Sequence, residues 1–105
     1  MRDTIVIGGG VAGCTAAMYA HRYGLDVEML EMVSPGGQVA TATTIENYPG
    51  FPEGISGPEL AQRVHEQATE MGVNVTMAEA KMITAREDVG WIVKTSEGGI
   101  ETLSI

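Results

Sequence analysis

A chain of 105 residues, 44% apolar and with a formal charge of −8, has material for one domain with a modest core. Fourteen acids against six bases, with no basic run, exclude nucleic acid and anionic membrane surfaces as natural partners, since both are held by neutralising phosphates. One cysteine, Cys14, excludes an internal disulfide or a CxxC redox pair, and the opening MRDTIVIG has the pattern of neither a signal peptide nor a membrane span. The expected location is the cytoplasm.

Thr4 to Ile7 is an apolar, β-branched run that stops at glycine, as a buried parallel strand does. Val11 to Tyr23 reads as a helix whose small residues Ala12, Ala16, Ala17 and Ala20 permit close approach to a sheet. Gly24 closes it, and Asp26 to Leu30 reads as a second strand. Glu31 to Ile55 follows neither period and carries seven Gly and Pro residues. A connection of that length is usually functional or disordered, and the embedded Val39, Ile45, Tyr48 and Phe51 favour an ordered, packed loop.

Ser56-Gly57-Pro58-Glu59 has capping-box spacing at the start of a second helix. Leu60, Val64, Ala68 and Met71 form its apolar stripe, and Gly72 ends it. Val73 to Met77 is then a third strand, and right-handed crossovers make all three parallel. Lys81 to Arg86, Trp91 to Thr95 and Ile100 to Ile105 read as an antiparallel meander turning at EDVG and SEGG. The fold class is therefore α/β: a Rossmann-like βαβαβ parallel sheet with a β-meander from about residue 80 to 105, within one dinucleotide-binding domain.

Gly8, Gly10 and Gly13 form G-x-G-x-x-G between a strand and a helix, the setting in which the motif carries meaning. Gly8 allows the tight turn, Gly10 lets a pyrophosphate reach the backbone, and Gly13 lets the helix pack on the strand. Glu31, at the end of the second strand, suits ribose hydroxyls and repels a 2′-phosphate, which argues against NADP at this position. A glycine-rich turn that binds nothing is the plainer alternative. Periodicity does not separate NAD from FAD.

Five stretches tilt that choice: Gly8-Gly9-Gly10-Val11-Ala12-Gly13, Glu31, Pro35-Gly36-Gly37-Gln38, Glu46-Asn47-Tyr48-Pro49-Gly50 and Gly57-Pro58-Glu59-Leu60. In order and spacing they resemble the opening of low-molecular-weight thioredoxin reductases, class II pyridine nucleotide–disulfide oxidoreductases. The resemblance implies that the glycine turn, with Val11 and Ala12, binds the ADP half of FAD. It further implies that Gly36, Gly37 and Gln38 line the cofactor and that Asn47 lies near the isoalloxazine. Paired glycines and amide side chains suit a polar ring edge, although loop-capping hydrogen bonds account for Gln38 and Asn47 equally simply.

Thioredoxin reductases also carry a CxxC in an NADPH-binding domain, with its own glycine motif, and neither appears in these residues. The expectation is an incomplete FAD domain, inactive by itself. Its parent would pass electrons from NADPH through FAD to the disulfide of a thioredoxin-like protein. Family members are commonly homodimers, and an unpaired sheet edge would favour self-association. A ferredoxin–NADP reductase-like flavoenzyme and a non-catalytic nucleotide-binding module remain as alternatives.

Cys14, beside a helix N-terminus, has a setting that can lower a thiol pKa, but a small buried packing residue is the simpler role. His21 and His65 lack partners for catalysis or metal binding and read as packing or surface residues. The seven methionines read as core filling, Trp91 as an anchor of the meander, and Glu87-Asp88 as a solvated turn.

Overall fold

The computed structural model of the chain describes residues 1–32 and 43–105. Its elements in chain order are β1 (Arg2–Ile7), α1 (Val11–Arg22), β2 (Val27–Glu31), α2 (Gly57–Glu70), β3 (Asn74–Met77), β4 (Ala80–Ala85), β5 (Trp91–Thr95) and β6 (Gly98–Ser104). They build one six-stranded sheet in the order β3-β2-β1-β6-β5-β4. β1, β2 and β3 are parallel, with Ile5 opposite Glu28 and Met29 opposite Val75. β4, β5 and β6 form the antiparallel meander, centred on Ile83–Val93 and Val93–Ile100 pairs. β6 also lies parallel to β1, pairing Arg2 with Thr102 and Thr4 with Ser104, and so joins the two halves.

Residue type explains most of these choices. All five β2 residues are buried, as expected of a strand covered on both faces. Alternation sends Val27 and Met29 into a cluster with Cys14 and Ala17 of α1 and Leu60, Val64 and Ala68 of α2. Leu30 points the other way, into a smaller cluster with Ile5 and Val93. The meander therefore supplies the cover for that second face. Ile45, Tyr48 and Phe51 pack partly buried against the helical cluster, and an isolated Ile45–Ile55 bridge pins the loop. Residues 43–55 are thus packed, as these apolar residues predict, and Val39 lies outside the described residues.

Both helices stop before a glycine with positive φ, Gly24 at +86° and Gly72 at +105°. The Ser56 Oγ accepts from the Glu59 N–H at 3.3 Å, completing half of the capping box. The Glu59 carboxylate instead pairs with Arg63 at 2.8 Å, one turn along the helix.

Two expectations from composition need correction. Of the seven methionines only Met29 is fully buried; Met1, Met32, Met77 and Met82 are more than half exposed. Met77 and Met82 stand on β3 and β4, the two edges of the sheet. Trp91 is 41% exposed, and the anchor of the meander is Val93, which is fully buried. The indole begins its strand beyond the reach of the second core cluster.

Candidate nucleotide-binding site

The site begins with backbone geometry. β1 ends at Ile7, and Gly8 turns the chain at φ +108°, a conformation closed to most side chains. Its N–H donates to the Leu30 carbonyl at 2.8 Å, which anchors the turn to the end of β2. Gly10 is the N-cap of α1, with extended backbone, no side-chain cap hydrogen bond and no acid in the first turn. The first N–H groups of α1 therefore present donors and a positive dipole end that the helix itself does not satisfy. A Cβ at Gly13 would meet the Gly8 carbonyl oxygen at 2.0 Å, so helix and turn touch through that missing atom.

Glu31 closes the other side. It is 9% exposed at the end of β2. Its Oε2 accepts from the Gly9 N–H at 2.5 Å and its Oε1 from the Met32 N–H at 2.9 Å. The carboxylate and the glycine turn thus form one unit. Gly8 of the turn and Glu31, with Ile7, Leu30, Met32, Ala78, Glu79 and Ala80, line a depression of about 220 Å³ at the carboxyl ends of β1, β2 and β3. Ligands of open α/β sheets bind at that end. A larger depression, about 520 Å³, lies at the opposite end beside Met1, Arg2 and Asp26, where Arg2 is already engaged by Asp26 and Glu28. Volume alone is a poor guide here, and the presence of Gly8 and Glu31 in its wall favours the smaller one.

Gly8, Gly10, Val11, Ala12, Gly13 and Glu31 are accordingly brought together. Gly36, Gly37 and Gln38 lie outside the described residues. Asn47 is exposed and lines a different depression, about 330 Å³, formed by Glu46 to Pro52.

Cys14 is buried and donates its thiol to the Gly9 carbonyl at 3.4 Å. Burial, and secondarily the Glu31 charge, push its pKa up. Its place in the helical core cluster supports the packing role. Sequence reading missed two features. Gly9 occupies a position the motif leaves open, and the third glycine in the run was its signal. Glu28, buried within β2, is held by Arg2 at 2.8 Å and by the Thr76 hydroxyl; a single acid inside an apolar strand was the available hint. No group of residues able to hold a metal, and no helix long and apolar enough to cross a membrane, occurs among the described residues.

The chain is similar in sequence and fold to known proteins. Residues 2–102 match the family model described as pyridine nucleotide-disulphide oxidoreductase. The bifunctional thioredoxin reductase/thioredoxin of Mycobacterium leprae is 42% identical over 98 residues, covering 93% of this chain and 21% of that protein. The thioredoxin reductase of Lactococcus lactis superposes with a TM-score of 0.92 at 35% identity, over 98% of this chain and 33% of that one. That of Streptococcus pyogenes gives 0.91 at 40% identity, with the same coverage. This chain thus spans a fifth to a third of the length of these relatives. On the family match, the relatives and the shared fold, the chain belongs to the pyridine nucleotide–disulfide oxidoreductases and is thioredoxin reductase-like within them.

Proposed function

We propose that this chain holds the ADP half of FAD, with the pyrophosphate over the Gly8–Gly13 turn and the adenine ribose on Glu31. The observation that carries this reading is the α1 N-terminus, which lacks a side-chain cap, set beside a buried carboxylate tied to the same turn. The open space at Gly8, where a Cβ would meet nothing within 4 Å, fits a ligand approaching the backbone. Gly10, Val11, Ala12 and Gly13 donate to phosphate oxygens in this reading, and Glu31 accepts from ribose hydroxyls. Gly36, Gly37, Gln38 and Asn47 complete the flavin side on resemblance alone. When bound, FAD supplies the electron-transfer chemistry; the residues of this chain bind and orient it.

In the longer protein, located in the cytoplasm, electrons pass from NADPH through FAD to the disulfide of a thioredoxin-like partner. The names of the relatives support that path, and these residues contain neither a CxxC pair nor a second glycine fingerprint.

The test is the visible spectrum of the purified chain after incubation with FAD and desalting. A retained flavin band, weakened by Glu31→Ala, is expected. A folded chain that retains none would assign flavin binding to other parts of the protein.

A further inference from the structure

We infer that Gly9 is a positioning residue that sets the ribose specificity of the site through Glu31. The inference rests on the assignment of Glu31 to the ribose, and it deepens that assignment. The fingerprint leaves the residue after its first glycine unspecified. Here that residue is tied to the acid in two ways. Its N–H donates to Glu31 Oε2 at 2.5 Å, and a Cβ built on it would stand 2.3 Å from the same oxygen and 3.2 Å from Cδ. Any side chain at position 9 therefore displaces the carboxylate.

What yields on substitution decides the role. At Gly13 the obstructing atom is the Gly8 backbone oxygen, so the turn itself must move. At Gly9 it is the far end of a flexible side chain, and Gly9 has no positive φ that would strain an alanine. The fold tolerates Gly9→Ala, while the acid swings off the position that the N–H fixed. The Met32 N–H holds the other oxygen, Oε1, at 2.9 Å. Cys14 steadies the following peptide group by donating to the Gly9 carbonyl. Gly9 thus determines where the carboxylate sits relative to the phosphate-binding turn, and so which sugar is accepted.

The test compares ADP with 2′,3′-dideoxy-ADP on the full 105-residue chain and on Gly9→Ala, by calorimetry. The native chain is expected to prefer ADP roughly tenfold or more, the usual strength of hydrogen bonds to a charged acceptor. Gly9→Ala should bring the ratio of the two affinities to about one. Looser phosphate binding from a damaged turn would instead weaken both ligands alike and overturn the inference. An undiminished preference in Gly9→Ala would also overturn it, yet leave the ribose assignment standing. No binding or no preference in the native chain would overturn both.

A second measurement does not depend on the variant's folding. In Glu31→Gln the Gly9 amide proton should move markedly upfield as its charged acceptor is lost. An unmoved resonance would overturn the inference.

Discussion

The two helices of this chain begin in opposite ways. α2 starts with Ser56, whose hydroxyl accepts from the third residue of the helix, with a proline in its first turn and Glu59 beside the dipole. α1 starts with Gly10, has no side-chain cap and has no acid in its first turn. Both begin from extended backbone, so the contrast lies in the side chains. One helix is completed by its own sequence, and the other presents its donors beside a carboxylate supplied from across the sheet. A helix start without a side-chain cap, in a chain that provides one elsewhere, is the contrast on which the proposed nucleotide site rests.

The contrast can be broken most severely at Gly13. Gly13→Ala drives a Cβ into the Gly8 backbone and should cost about 3 kcal/mol, at the upper end of overpacking, read as a lower urea midpoint with unchanged slope. Ser56→Ala removes the α2 cap and should cost about 1 kcal/mol in the same measurement, with flavin retention unaffected. Gly10→Ser makes the two helix starts alike. It should stabilise the chain by about 0.3 kcal/mol while lowering FAD retention, and a loss of stability there would show that α1 is not short of a cap.

The thiol of Cys14 reports on the open end. It should react with a disulfide reagent far more slowly in the native chain than in urea, and Glu31→Gln should quicken it modestly by removing a nearby negative charge. The smallest effect lies far from both helices. The Arg86 hydrogen bond lowers the exposed Asp88 carboxyl to about 2. Because the folded value is depressed, any contribution to stability is present above the ordinary carboxylate range and fades as pH falls towards about 2. Arg86→Ala should return the Asp88 carbon resonance to an ordinary titration, with little change in melting temperature.

Much of this was legible in the amino-acid order. The strand–glycine–helix signal located β1 and α1 because steric rules at Gly8 and Gly13 act locally. Ser56 and Gly72 marked the ends of α2 for the same reason. The meander was read from its turns, but its parallel junction with β1 was not, since no local pattern encodes which strand a terminal strand meets. The exposure of Met77 and Met82 was likewise invisible, because it depends on which strands become edges. The link between Gly9 and Glu31 spans 22 residues and shows only once the strands are in register.

That parallel junction has a consequence for how the chain acquires its structure. Thr102 donates to the Arg2 carbonyl across 100 residues, and Ser104 to that of Asp3 across 101. The strand–helix–strand unit of residues 2 to 31 can assemble from near neighbours, whereas the other side of β1 must wait for the last strand to arrive. Closing so long a loop before any contact rewards it is slow. During synthesis, the inner strand of the nucleotide site therefore keeps one flank bare until almost all of these residues have emerged. In that interval its unpaired backbone groups are open to a strand of another molecule.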